Sequence, residues 1–304
     1  MEERYRIIKP KGSGAYSDVY KAHDTVDGRI VAKKELRVPN EWHRMRFKRE
    51  AKMLRKYASS PYFVDIYDED LDAPAPYIIL AYSSLGSLHP LIGKVSDWQV
   101  AAMWLSDMAH GLEAMQQQGD MHRDIKPGNL LRFSTPGGVI VQFTDFGLAH
   151  KADNTSGPMT NSVFGTEGYI DPVARKMGCF FPQSDTYSCG RVIRAIMTGD
   201  PGGALPITVP VGFRNLVNSM TSLNLLERPT PQYIYQTVEG LLYVPTLRAL
   251  PDLPTLPLGN IGWKGGLFLG GLAFLVLLGS ANTWDDNVGR YRNGNGEFAS
   301  GLFG

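Results

Sequence analysis

The stretch "HRDIKPGN", residues 122–129, brings a carboxylate, a lysine and a carboxamide into one short segment, which is predicted to form a loop after a long helix. Asp124 could accept a proton from a hydroxyl group, and Lys126 could neutralise a phosphoryl group in transit. Asn129 carries an amide oxygen, which is a suitable ligand for a hard cation such as magnesium. This combination of side chains indicates phosphoryl transfer.

A second acidic motif, "TDFG" at residues 144–147, follows the strand-like run "GVIVQF". Asp145 in this motif could share a magnesium ion with Asn129, because both side chains present oxygen atoms. The two motifs together predict a metal-dependent site in the mainly helical part of the chain.

Two adjacent lysines stand in the strand-like stretch "VAKKEL", residues 31–36. Side chains alternate along a strand, so Lys34 shares the apolar face of Ala32 and Leu36. Lys33 points to the other side, where we expect it to be solvated. A cation that faces a core is costly unless an anion meets it, so Lys34 requires a buried acidic partner.

The helical pattern "EWHRMRFKREAKMLRKY", residues 41–57, offers that acid. Glu50 lies on the same stripe as Phe47 and Leu54, and it is predicted to pair with the inward lysine. On this pattern alone, a purely structural ion pair is as plausible as a functional one. The other basic residues of the helix are interpreted as a solvated face: Arg44, Arg46, Lys48, Arg49 and Lys52.

Gly12 and Gly14 in "GSGAYSDVY" separate two strand-like runs upstream of the lysines. They predict a hairpin turn whose backbone amides can approach phosphate oxygens closely. The motif is weak alone, because any tight hairpin can contain two glycines. It becomes stronger with Lys34 on the next strand, since this lysine would reach the same phosphates.

Taken in order, these motifs resemble those of the eukaryotic-type protein kinases, serine/threonine class. The resemblance implies an α+β, bilobal protein kinase fold over residues 1–243, with ATP in the cleft. The N-lobe, residues 1–82, would be small and β-rich with one helix. The C-lobe, residues 83–243, would be larger and mainly helical, and its first long helix would be capped by Ser96 or Asp97.

The same resemblance assigns roles to single residues. The catalytic residues would be Lys34, Glu50, Asp124 and Lys126, and the magnesium ligands would be Asn129 and Asp145. Asp124 would be the base, and Lys34, held by Glu50, would orient the α- and β-phosphates of ATP. Leu80 would guard the back of the nucleotide pocket, and the backbone of residues 81–83 would bind adenine. The ATP-binding set comprises Gly12, Gly14, Val19, Ala32, Lys34, Leu80, Ala81 and Ser83.

Two motif variants narrow the substrate, again by resemblance. Lys126, and Thr166 in "GTEGY", are typical of kinases that phosphorylate serine or threonine in proteins. Arg123 beside the base implies activation by a phosphate further along the chain. Thr160 and Ser162 are the best-placed regulatory candidates, and ordinary loop hydroxyls are the alternative for each. Thr166 and Arg123 complete the regulatory candidates.

The chain departs from the family pattern at several positions. Ser17 stands where a third glycine is usual, and Val173 stands where the family has a glutamate. Arg228 therefore loses its usual partner, unless Asp171 or another acid substitutes.

Two rival functions also stay open. One is a pseudokinase scaffold, although all of the catalytic residues are present. The other is a small-molecule phosphotransferase, against which "DFG" and "GTEGY" argue.

Composition adds limits on partners and compartment. The 304-residue chain has a formal net charge of +1, which argues against a dedicated nucleic-acid partner. Cys179 and Cys189 are too few for a disulfide framework, which suits a reducing compartment. The charged N-terminus lacks the apolar core of a signal peptide, so we expect it to stay on the cytosolic side.

The C-terminal part is predicted to anchor the chain. Residues 244–264 are proline-rich and read as a juxtamembrane linker. Residues 265–281 carry no charge and just reach the length of a membrane span, with a docked or ill-ordered apolar segment as the alternative. Residues 282–304 would be a short tail, in a single-pass or tail-anchored arrangement with the kinase domain in the cytosol. Three small residues could line a homodimer contact: Gly262, Gly266 and Gly270.

Overall fold

The structure, a computed structural model, describes a large part of the chain. The described residues are 4–14, 16–147, 150–151, 165–243, 283–285 and 290–292. They fall into two units: one holds residues up to Tyr243 except Thr135–Gly138, and the second holds that short segment with the described residues beyond 243. Thr160 and Ser162, the two regulatory candidates in the middle of the chain, lie outside the described residues.

The N-lobe is a five-stranded antiparallel sheet with one helix. The strands are β1 (Tyr5–Ser13), β2 (Ser17–Asp24), β3 (Ile30–Leu36), β4 (Ile66–Asp70) and β5 (Tyr77–Ala81), in the spatial order β1-β2-β3-β5-β4. The helix, α1, spans Glu41–Lys56. Because β3 is central, Lys34 lies opposite Val19 on one neighbour and Ile78 on the other. The acidic strand β4 has no clear apolar alternation, and the sequence did not predict it.

One face of the sheet packs on α1. Phe47 and Leu54 of the helix are buried together with Leu36 and Ile78 of the sheet in the main core. Glu50 lies on the same buried stripe, as the three-and-four spacing predicted. The helix begins after Asn40, whose side chain accepts a hydrogen bond from the amide of the third helical residue.

The expectation that Lys33 is solvated is wrong. Its residue surface is only 6% exposed. The face of the sheet opposite α1 carries a second, smaller apolar cluster that includes Val31 and Ile79, with Tyr77 packed against it. The Lys33 ammonium lies 3.0 Å from Glu35 and 5.0 Å from the centre of the Tyr77 ring. A lysine on a central strand can lay its stem over neighbouring side chains, which covers it without placing it in the main core.

The C-lobe is mainly helical. Its elements are α2 (Trp98–Gln117), β6 (Asp120–Met121), β7 (Leu130–Thr135), β8 (Gly138–Phe143), β9 (His150–Lys151), α3 (Pro172–Met177), α4 (Pro182–Thr198), α5 (Val211–Met220) and α6 (Pro231–Leu242). Asp97 caps α2, which is one of the two predicted caps. Leu105 and Leu112 of α2 are buried where the helix packs against α4 and α6. β6 pairs with β9, and β7 pairs with β8.

In the second unit, two short antiparallel strands are described, β10 (Thr283–Asp285) and β11 (Arg290–Arg292). Within the described ranges, no helix is long and apolar enough to span a membrane. The predicted span, residues 265–281, lies outside the described residues, as do the three glycines assigned to a dimer contact.

Candidate active site

A buried acid anchors the loop of residues 122–129. Asp185, in the first turn of α4, accepts hydrogen bonds from the backbone amides of His122 at 2.7 Å and Arg123 at 2.9 Å. Arg123 has a φ of 68°, a left-handed conformation that a non-glycine residue adopts at a cost. The two hydrogen bonds therefore hold the loop in a conformation that it would not adopt freely.

The Asp124 carboxylate is held by three side chains. Oδ2 accepts hydrogen bonds from Lys126 Nζ at 2.9 Å and from Asn129 Nδ2 at 3.1 Å. Oδ1 accepts one from the Thr166 hydroxyl at 3.0 Å. Lys126 Nζ also donates to Thr166 Oγ1 at 2.9 Å. The structure thus brings together four residues that the sequence singled out in two distant motifs, and it fixes the direction in which the carboxylate points.

Asn129 and Asp145 each present a side-chain oxygen atom that could bind magnesium. Asn129 Nδ2 donates to the main-chain oxygen of Asp124 at 2.8 Å as well as to its carboxylate, which leaves Oδ1 as the side-chain atom free to bind a cation. The Asp145 side chain is 43% exposed, so its carboxylate is accessible. Among the residues that the structure describes, no cluster of three histidine, cysteine or acidic side chains could hold a metal. Two oxygen ligands suit magnesium, which usually keeps several water or phosphate ligands.

The predicted contact between Lys34 and Glu50 is confirmed. Lys34 Nζ lies 2.7 Å from both carboxylate oxygens of Glu50, and both residues are buried. The same ammonium group lies 3.4 Å from the Asp145 carboxylate. Burial alone would lower the pKa of Lys34, but the charges of Asp145 and Glu50 outweigh it and raise the pKa. The lysine therefore stays charged, and it joins the N-lobe to the "TDFG" motif.

The residues predicted to bind the nucleotide lie on neighbouring strands. Val19 is opposite Gly12 on one side and Lys34 on the other, and Ala32 is opposite Leu80. A side chain added at Gly12 would meet no atom within 4 Å, so the space beside the turn is open to a ligand. The remaining members follow the same pattern: Gly14 in the β1–β2 turn, Ala81 at the end of β5, and Ser83 just beyond it.

Ser83 also anchors the segment that joins the two lobes. Its hydroxyl donates to the main-chain oxygen of Arg132 on β7 at 2.5 Å and accepts from the Gly86 amide at 2.9 Å. The side chain therefore serves the connection between the lobes, whereas the sequence assigned this position to adenine binding through its backbone.

Asp171 supplies the carboxylate that Arg228 lacks at position 173. The two side chains form a two-pronged ion pair, with distances of 2.6 and 2.8 Å, and neither is exposed. Asp171 also accepts from the Ser184 hydroxyl at 2.7 Å and caps α3 through the Val173 amide at 2.9 Å. Of the alternatives that the sequence left open, substitution by Asp171 is thus the one observed.

Sequence reasoning did not single out the aromatic contacts behind the site. The rings of His122 and Phe146 are 4.6 Å apart, and Phe63 lies 5.8 Å from Phe146. His122 and Phe146 are fully buried, so these contacts join the loop to the "TDFG" motif through the core. The only available signal was the position of each ring next to a polar motif residue.

Residues 5–205 match the family described as the protein kinase domain, which is well over half of the chain. The chain belongs to this family, and the bilobal α+β kinase fold predicted from the sequence is confirmed. The names of its relatives also agree with the predicted class, a protein serine/threonine kinase.

Three bacterial relatives illustrate the similarity. Serine/threonine-protein kinase PknB of Mycobacterium leprae is 32% identical over 224 residues, which cover 69% of this chain and 35% of that protein. Probable serine/threonine-protein kinase PknB of Lactococcus lactis is 31% identical over 242 residues, 78% of this chain and 38% of that protein. Probable serine/threonine-protein kinase CA_C1728 of Clostridium acetobutylicum is 29% identical over 237 residues, 76% of this chain and 35% of that protein. The chain thus spans little more than a third of the length of these curated relatives.

Proposed function

We propose that this protein transfers the γ-phosphoryl group of ATP to serine or threonine hydroxyls of protein substrates. The observation that carries the proposal is the position of Lys34 Nζ, which contacts Glu50 on α1 and Asp145 in the C-lobe at once. An inert scaffold would not need a charged group shared by both lobes at a site that is otherwise costly to bury. The site has the charges that bind a nucleotide phosphate on one side and a metal ion on the other.

In this proposal Asp124 is the base that orients the acceptor hydroxyl and receives its proton. Lys126 lies beside it and neutralises the phosphoryl group during transfer. Lys34 orients the α- and β-phosphates of ATP. Asn129 and Asp145 would hold magnesium, which when bound neutralises charge on the phosphates. The chain's own contribution is therefore positioning and electrostatic stabilisation.

The acceptor class is supported by Thr166. Its hydroxyl links Lys126 to Asp124, so the "GTEGY" motif is fixed to the proposed base. The relatives named above carry the name serine/threonine-protein kinase, which agrees with this acceptor class.

The test is incubation of the full chain with labelled ATP, magnesium and a generic basic protein, followed by phosphoamino-acid analysis. We expect phosphoserine and phosphothreonine with the wild type, and at least about a hundredfold less label with Asp124→Asn. Equal label in both proteins would contradict the enzyme and favour a pseudokinase scaffold. Label in small molecules alone would favour the small-molecule phosphotransferase.

Regulation by phosphorylation is supported by three arginines near the site. Arg123 Nε is buried and has no hydrogen-bond partner among the described residues. Burial lowers the pKa of Arg123. The charge of Asp185 opposes this shift, and the charge of Arg49 adds to it. Arg46 approaches within 3.5 Å of the point that a Cβ would take on Gly147. Arg44, Arg46 and Arg49 of α1 are half-buried, so the expectation of a solvated face is wrong for the arginines. Lys48 and Lys52 are exposed, as expected.

A phosphate on Thr160 or Ser162 would neutralise these arginines. Mass spectrometry of the protein after incubation with ATP should find a phosphate on one of them, and Thr160→Ala with Ser162→Ala should lower the activity. If Arg123→Ala still responds fully to phosphorylation, this regulation is excluded.

Membrane anchoring is proposed on the sequence of residues 265–281 alone, with the kinase domain in the cytosol and a dimer contact at Gly262, Gly266 and Gly270. The full chain should sediment with membranes and resist alkaline extraction, and a chain that ends near Pro257 should stay in solution and keep its activity. Recovery of the full chain in the soluble fraction would exclude the anchor. Gly266→Leu should weaken crosslinking of the full chain if the dimer exists.

A further inference from the structure

Asp120 is a buried acid outside the residues discussed so far. It forms half of the two-residue strand β6, immediately before the loop of residues 122–129, and only 3% of its surface is exposed. Its Oδ2 atom accepts a hydrogen bond from the Tyr57 hydroxyl at 2.6 Å and forms an ion pair with Lys56. Both donors come from the C-terminal end of α1. The acid thus joins α1 to the start of the loop that carries Asp124.

This position is an unfavourable one for a carboxylate. Burial disfavours a charged group, and the C-terminal end of a helix carries partial negative charge. Lys56 and Tyr57 offset both effects by direct contact. Burial raises the pKa of Tyr57, and the hydrogen bond to Asp120 adds to the shift, so the hydroxyl keeps its proton and remains a donor. Because Asp120 is buried and in contact with both groups, it holds Lys56 and Tyr57 in one geometry.

Three sets of contacts connect Asp120 to the site. Along α1, Tyr57 and Lys56 follow the buried stripe that contains Glu50. Through the core, the ring of Tyr57 stacks on Phe63 at 4.5 Å, and Phe63 lies 5.8 Å from Phe146 in the "TDFG" motif. The backbone of Asp120 pairs with Lys151 on β9, just beyond that motif. A displacement of Asp120 would therefore affect both partners of the Lys34 ammonium, Glu50 on α1 and Asp145 in the "TDFG" motif.

We propose that Asp120 is a positioning residue, which fixes the C-terminal end of α1 against the loop of residues 122–129 and so keeps Glu50 in contact with Lys34. The expected effect of Asp120 on the rate rests on the proposed kinase function, whereas its expected effect on the position of α1 does not.

Two variants of the full chain test it. Tyr57→Phe keeps the ring and removes only the hydroxyl donor, whereas Asp120→Leu removes the acceptor. The control is Asp72→Asn, because Asp72 also pairs with a lysine of α1, Lys48, at 2.8 Å, but its side chain is 88% exposed. We expect kcat to fall about tenfold in Tyr57→Phe and up to about a hundredfold in Asp120→Leu at a temperature where both are folded, with the control unchanged.

Hydrogen exchange of the α1 amides gives a second readout that needs no activity. Exchange in residues 41–56 should accelerate in both variants while exchange in α4 and α6 stays as in the wild type. If the wild type transfers phosphate and both variants match its kcat and its exchange, Asp120 does not position α1. If the wild type transfers no phosphate, the proposed function fails, and accelerated exchange confined to α1 would still support the positioning role. Acceleration spread evenly over the domain would overturn it, and Tyr57→Phe decides the outcome should Asp120→Leu fail to fold.

Discussion

Two ion-paired groups differ in their charge balance, because one has two carboxylates for one cation and the other has one carboxylate for one cation. In the first group, the cation Lys34 lies between two carboxylates, Glu50 of the N-lobe and Asp145 of the C-lobe. In the C-lobe, one carboxylate, Asp171, receives two donors from Arg228, and two more come from the Ser184 hydroxyl and a backbone amide.

The charge balance and the exposure of each group indicate that the first serves binding and the second stabilises the fold. The first group has more negative than positive charge and an accessible carboxylate, so it can accept a further cation. The second has every acceptor position of the carboxylate occupied and no exposed side chain, so nothing can be added to it. A pair that is saturated holds a backbone in place, whereas a pair that is left incomplete can take part in binding.

The largest expected effect is on the saturated pair. Arg228→Met leaves Asp171 buried without its cation, which should lower the free energy of unfolding by about 3–5 kcal/mol. Urea unfolding at neutral pH measures it, with Arg175→Met on the exposed side of α3 as the matched control. If Arg228→Met unfolds at the same urea concentration as the control, the Asp171–Arg228 pair does not stabilise the fold.

The next effect is on the incomplete pair. Glu50→Gln keeps the shape of the side chain and removes its charge, while Asp145 remains 3.4 Å from the lysine. We expect kcat/KM for ATP to fall about a hundredfold because the lysine is no longer oriented, with little change in unfolding. Steady-state kinetics checks the first part, and Glu41→Gln in the exposed first turn of α1 serves as the control. A loss of stability as large as that of Arg228→Met, with kinetics intact, would reverse the roles of the two pairs.

The smallest expected effect is on the free energy of unfolding at acidic pH. Burial would raise the pKa of Asp171, but its hydrogen bonds with Arg228 and Ser184 lower the pKa below its ordinary value of 3.8. A carboxyl with a lowered folded pKa contributes stability that is present above pH 3.8 and is lost as the pH falls through the folded value. The wild type should therefore be more stable than Asp171→Asn by a constant amount between pH 8 and pH 5, and the difference should shrink below about pH 4. Urea unfolding across this range measures it; a difference that grows in acid would mean that the carboxyl is not stabilised in its charged form.

The sequence predicted the incomplete pair better than the saturated one. Period-two alternation in "VAKKEL" and the helical stripe around Glu50 are local signals, and they identified the contact of Lys34 correctly. The contact of Asp171 with Arg228 joins residues far apart in the chain, so local patterns could only leave it open.

The wrong prediction for Lys33 and the unpredicted contacts of Asp120 also have physical causes. Alternation tells which side of a strand Lys33 faces but not how well that side is covered, and the prediction of a solvated side chain was therefore wrong. Asp120 lies in a strand of two residues, which is too short to show any periodicity. Its partners Lys56 and Tyr57 belong to a helix that the sequence did predict, but only the fold brings them together.

The assignment of Lys34 to the phosphates of ATP is tested most directly by a comparison of the two neighbouring lysines. Initial rates of phosphate transfer from ATP should be measured for Lys34→Ala and Lys33→Ala at equal concentrations of folded protein. We expect a loss of more than about a hundredfold for Lys34→Ala and a change within about twofold for Lys33→Ala. Equal losses in both variants, or a larger loss in Lys33→Ala, would contradict the assignment of Lys34 to the phosphates of ATP.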